Sequence, residues 1–81
     1  MAYPTYNSAT DIPTDTNTEG RWKGFMIIDS TVTGKNVKVR MFNGEDVLFE
    51  GVTPLTVYPF SFNKIYSADT DVTNGKLVGL N

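Results

Sequence analysis

The chain has 81 residues, 40% apolar and 20% charged, with a formal net charge of −2. A chain this short buries only roughly 60% of the surface its unfolded form exposes, so it is one small domain with a marginal core. It contains no Cys and no His, which removes disulfide staples, thiolate and Ser-His-Asp nucleophiles, and Cys- or His-based metal centres, while the acidic balance runs against a surface built to neutralise nucleic-acid phosphates. A marginal core without staples points to a protein stabilised by a partner.

Residues 1–20 carry five Thr, Pro4 and Pro13, the acids Asp11, Asp15 and Glu19, and no Lys or Arg. Neither a 3.6 nor a 2.0 period is visible, so the stretch is expected to form an extended N-terminal arm ahead of a β domain over 21–81. Tyr3, Tyr6 and Ile12 are its candidate anchors on a neighbouring molecule, because tyrosine offers a large contact area at low entropic cost. The first residues lack the basic and apolar regions of a signal peptide. The longest purely apolar run, Phe25–Ile28, has four residues against the roughly 20 that span a bilayer, so no membrane partner is expected. Asp15-x-Asn17-x-Glu19-Gly20 imitates the start of a calcium loop. Met26 stands where a bidentate Glu is needed, and no metal site is assigned.

The body reads as all-β. Trp22–Ile28 is aromatic and β-branched and predicts a strand. Lys35–Phe42 alternates, with Val37, Val39 and Met41 on one face and Lys38 and Arg40 on the other, as a half-buried strand does. Asn43-Gly44 then signals a hairpin with Glu45–Glu50 as the return strand. A three-residue loop, Phe42-Asn43-Gly44 with Gly44 left-handed, pairs Val39 with Val47, Val37 with Phe49 and Arg40 with Asp46. Apolar meets apolar and charge meets opposite charge, whereas a two-residue loop mixes acids into the apolar face. Leu48 then shares the Lys38/Arg40 face, which should be partly covered. Gly51–Pro54 reads as a turn, and Leu55–Phe60 as an edge or bulged strand because it contains Pro59. Strands over Phe62–Ala68 and Lys76–Leu80 follow, separated by the turn-rich Asp69–Gly75. Five to six short strands at this spacing predict a small antiparallel sandwich or barrel.

Nothing in this pattern assembles a catalytic constellation or a cofactor site, and the chain is expected not to be an enzyme. Lys23-Gly24-Phe25 resembles the base-stacking strand of cold-shock domains, but Ile27 occupies the place of the second exposed aromatic and the His-bearing strand has no counterpart, so nucleic acid is not expected as a partner. Trp22 and the Leu55–Phe60 edge, with Tyr58 and Phe60, are the expected contact surfaces.

A broader resemblance covers most of the body. It is carried by Gly24 before Phe25-Met26-Ile27, Gly34 leading to Val37 and Val39, Phe49-x-Gly51-Val52, Pro59 closing Leu55-Thr56-Val57-Tyr58, then Ile65 and the terminal Leu77-Val78-Gly79-Leu80. The order and spacing resemble small all-β virion proteins of tailed bacteriophages, of the capsid-decoration (cement) and spike-base type. The resemblance implies a non-enzymatic structural role in the phage particle, synthesis in the host cytoplasm, and binding to the major capsid protein or to tail proteins. It also implies assembly as a homotrimer. The alternative it carries is a tail or adhesion component binding host-surface sugar through aromatic side chains such as Tyr58, Phe60 and Tyr66.

Overall fold

The computed structural model describes residues 6–81. Its strands are β1 (Ala9–Asp11), β2 (Thr18–Trp22), β3 (Gly24–Ile27), β4 (Lys35–Met41), β5 (Asp46–Val52), β6 (Phe62–Ile65) and β7 (Leu77–Leu80), with no helix among the described residues. They form two antiparallel sheets, one in the order β1-β7-β3 and one in the order β2-β6-β4-β5. One apolar core joins them. Phe25 and Ile27 of β3 and Leu77 of β7 meet Val37 and Val39 of β4 and Phe62 and Ile65 of β6, all fully buried. Burying each such side chain contributes about 1.5–3 kcal/mol, so these few residues carry much of the fold.

The β4–β5 hairpin has the register its side chains dictate. Val37 lies opposite Phe49, Val39 opposite Val47, and Arg40 opposite Asp46. The Met41 N–H donates to Glu45 O (2.8 Å) and the Gly44 N–H to Met41 O (2.9 Å), closing the three-residue loop 42–44. Gly44 has φ of 90°, a conformation costly for any residue with a β-carbon. The Lys38/Arg40 face is half-buried, and Leu48 remains largely exposed on it.

The run from Trp22 to Ile28 is not one strand. Trp22 pairs with Phe62 in the four-stranded sheet, the Lys23 N–H already donates to Leu80 O (2.8 Å), and Gly24 pairs with Leu80 in the three-stranded sheet. The chain thus changes sheets within three residues, and glycine is required at the corner. A β-carbon on Gly24 would stand 2.9 Å from both Tyr58 O and the Tyr6 hydroxyl.

The arm expected over residues 1–20 does not describe residues 6–20. β1 pairs with β7, with Ala9 opposite Leu80 and Asp11 opposite Val78, so a proposed boundary at residue 20 falls inside β2. Ile12 is fully buried, its N–H donating to Leu77 O (3.0 Å). Buried Thr14 ties the following turn down, its hydroxyl donating to Val72 O (2.8 Å) and its N–H to Asn74 Oδ1 (3.2 Å). The sequence-local absence of a period misled here because a three-residue edge strand is too short to show one. Ile12 belongs to the core and offers no anchor to another molecule. Tyr3 lies outside the described residues.

Leu55–Phe60 is likewise not a regular strand. It runs beside β3 through a single bridge, in which the Tyr58 N–H donates to Phe25 O (2.9 Å) and the Phe25 N–H to Tyr58 O (3.1 Å). The Leu55 N–H adds a bond to Ile27 O (2.8 Å). The next residue whose N–H could extend the ladder, Phe60, donates instead to Tyr58 O (2.9 Å), so the pairing stops.

Candidate interaction surface

A connected series of aromatic rings leads from the core to the surface. Trp22 stacks on Phe62 (centroids 5.1 Å apart), and Phe62 meets Phe25 edge-on (5.8 Å). Phe25 stacks on Tyr58 (5.0 Å, planes within 4°) and meets Phe49 edge-on (5.4 Å). Phe49 reaches Phe60 at 5.3 Å. Such contacts add about 0.5–1.5 kcal/mol each beyond the area buried and make the row rigid. The row is buried at Phe62 and Phe25, half-buried at Tyr58 and Phe49, and open at Phe60, which is 43% exposed.

Beside Phe60 in the chain stand Leu55 at 59% and Val57 at 41% exposure. Leu55 is the one non-glycine among the described residues with positive φ, 59°. A leucine held left-handed costs on the order of 1 kcal/mol or more. Here it is held that way by its bond to Ile27 O, with its apolar side chain facing solvent. The stretch Thr53–Ser61 carries no charged residue, so nothing on the loop itself opposes apolar contact. Tyr58 fixes the loop from beneath, its ring on Phe25 and its hydroxyl oxygen accepting the Thr53 N–H (2.8 Å).

The expected contact residues divide accordingly. Phe60 is exposed and Tyr58 half-buried, and the two rings meet through Phe49, at 5.3 and 6.0 Å. Trp22 is buried between the sheets and cannot serve as a contact surface: its indole fills the space over Gly20 and Gly79, where a β-carbon would collide with it. Tyr6 is half-buried, its hydroxyl packed against Gly24 and without a hydrogen-bond partner among the described residues. Asn43 and Gly44 shape the hairpin loop, where the Asn43 Oδ1 accepts the Glu45 N–H (3.1 Å). Leu55 and Val57 lie within the expected Leu55–Phe60 edge, where the lack of charge from Thr53 to Ser61 is a further signal, whereas Phe49 is expected only as the hairpin partner of Val37.

The outer face of the four-stranded sheet is charged. Across it Glu19, Lys64, Arg40 and Asp46 stand opposite one another in turn. Arg40 bonds Glu19 Oε1 (3.2 Å) and Asn63 Oδ1 (2.8 Å), and Lys38 pairs with Asp69 (3.1 Å). The Lys38 ammonium pKa is raised, chiefly by the hydrogen bond to Asp69. The Tyr66 hydroxyl donates to Asp46 Oδ1 (2.7 Å), and this bond raises the phenol pKa. Tyr66 also has the Lys38 and Lys64 ammonium groups near its ring, at 5.4 and 4.9 Å. Lysines over that ring leave it a poor stacking platform for a sugar.

No family model matches the chain, and neither a curated protein nor a solved structure matches it.

Proposed function

We propose that the chain is a non-enzymatic structural protein of a phage particle, a decoration or cement protein that binds the assembled head through the Leu55–Phe60 surface. The observation that carries the reading is Leu55, a large apolar side chain held out to solvent in a left-handed backbone conformation. Both its exposure and its strain oppose stability in the isolated chain, and strained positions of this kind cluster where a protein meets a ligand. Val57 and Phe60 follow it, exposed, on the same uncharged stretch, and the Phe60 ring meets the aromatic row at Phe49. A rigid apolar anchor on a small all-β unit suits a protein whose work is to bind a surface. A cement protein favours the assembled state by binding it and not the free subunit, and many copies multiply the effect by mass action. The resemblance in the order of glycines and apolar runs supports the same assignment. The finer shape proposed is a small sandwich that assembles as a trimer on the shell, with the major capsid protein as its partner.

The test is the copy number of the chain in purified particles, by quantitative mass spectrometry against the major capsid protein. The proposal expects a number on the scale of the shell's subunits. A few copies would move the chain to the tail, and none would remove it from the particle.

A further inference from the structure

β5 is the outer strand of the four-stranded sheet, and it is the longest edge among the described residues, at seven residues. The other edges are blunted. β1 has three residues, β2 has five with a register shift between Glu19 and Trp22, and the free side of β3 is occupied by Leu55 and Tyr58. β5 has its own register shift only past Phe49, where Gly51 has φ of 61° and Val52 pairs with Lys35. The direction of the backbone groups on β5 follows from the hairpin. Met41 bonds Glu45, so Val39–Val47 and Val37–Phe49 are the hydrogen-bonded pairs. On the other side of β4, the Lys38 carbonyl accepts from Tyr66, consistent with this alternation. The N–H and C=O groups of Asp46, Leu48 and Glu50 therefore point away from the sheet along the free edge.

The side chains define what fits there. Val47 and Phe49 are half-buried on the inner face, and Phe49 leads to exposed Phe60. On the outer face the same edge presents Asp46, Leu48 and Glu50, with Leu48 43% exposed. We infer that β5 accepts an extended segment of a partner protein as an added antiparallel strand. The segment has the pattern basic–apolar–apolar–apolar–basic: its basic residues stand opposite Glu50 and Asp46, its central apolar residue opposite Leu48, and the two between opposite Phe49 and Val47. The inner-facing pair extends the apolar layer that ends at Phe49 and Phe60. Main-chain bonds supply affinity and the alternating side chains supply selection, as in strand addition generally. The two acids do a second task, since like charge on an edge discourages pairing with other acidic edges. The sequence of this chain holds no segment of that pattern, so the occupant is a different protein.

This inference rests on the reading of the chain as a particle-binding protein, and its test is independent of particles. The full chain, labelled for NMR, is titrated with a capped Lys-Val-Val-Val-Lys peptide, with its Glu-Val-Val-Val-Glu counterpart, and with the lysine peptide N-methylated at its edge-facing amides. Amide exchange is followed residue by residue. The lysine peptide is expected to slow exchange at Asp46, Leu48 and Glu50, the glutamate peptide to bind about tenfold more weakly, and N-methylation to abolish binding. Glu50→Lys, at an exposed position, narrows the difference between the two charged peptides, with its melting temperature showing that the fold is kept. No protection at millimolar peptide, protection at Ala9–Asp11 instead, or equal binding of the N-methylated peptide overturns the inference. Those outcomes leave the copy number on particles untouched. Absence of the chain from particles, with β5 protected by the lysine peptide, would overturn only the virion assignment.

Discussion

The indole of Trp22 occupies the space in which a side chain at Gly79 would stand. Trp22 ends a strand of one sheet and Gly79 lies in the middle strand of the other, so this contact sets how closely the two layers approach. Gly79→Ala is expected to destabilise the fold by about 1–3 kcal/mol through overpacking, lowering the melting temperature by about 4–8 °C for each kcal/mol. Combining it with Trp22→Leu should recover part of the loss, because the two changes act on one space. Thermal unfolding followed by circular dichroism checks both, and simple additivity would contradict the contact.

Ile12 distinguishes a built-in segment from a free arm. Fully buried among the core side chains, it should cost about 2–5 kcal/mol when cut to alanine. Chemical denaturation reads this directly. A substitution without effect would mean that residues 9–12 contribute nothing to the folded unit.

Gly44 has open space around its α-carbon, so a substitution there costs backbone conformation alone. Gly44→Val should lose about 1–2 kcal/mol, and Gly44→Asn much less, since asparagine tolerates the left-handed region. Equal melting temperatures for the two variants would contradict the loop geometry.

Asp29 closes the turn after β3. Its carboxylate accepts the Thr31 hydroxyl (2.7 Å) and N–H (2.9 Å) and pairs with Lys76 (3.3 Å). The Thr31 bonds above all, then Lys76, lower its pKa from 3.8 to about 2. A depressed folded-state pKa means stability that is present above the unfolded value and lost as pH falls through the folded one. The gap in melting temperature between the wild type and Asp29→Asn should therefore be open at neutral pH. It should narrow as the pH falls from 3.8 toward about 2. A gap independent of pH would show that the charge has no part in the turn.

How much of this was legible in the sequence depends on where the deciding interactions lie. The β4–β5 register was readable because its determinants, Arg40 with Asp46 and Val37 with Phe49, sit in two strands joined by a three-residue loop. The sheet change at Trp22-Lys23-Gly24 was not, because its cause is distant in the chain: Phe62 and Leu80 are what separate Trp22 from Gly24. Ile12 looked like an isolated apolar residue in a polar tract, and only its pairing beside Leu77 makes it core. Pro59 suggested an edge or bulged strand over Leu55–Phe60, where only a single bridge to β3 forms, and the left-handed turn at Leu55 left no local signal, since leucine is not a residue chosen for that conformation. The Leu55–Phe60 surface was therefore legible, while the left-handed backbone of Leu55 was not.

Leu55→Gly tests most directly whether this surface exists for binding. Glycine adopts φ near 59° without strain and removes an exposed apolar side chain. The free protein should melt at the same temperature or slightly higher, because the relieved strain offsets the greater freedom of the unfolded chain. Occupancy on purified particles, measured after a mild wash, should fall clearly below the wild-type level. An unchanged occupancy in a variant of undiminished stability would contradict the assignment of the Leu55–Phe60 loop as the attachment surface.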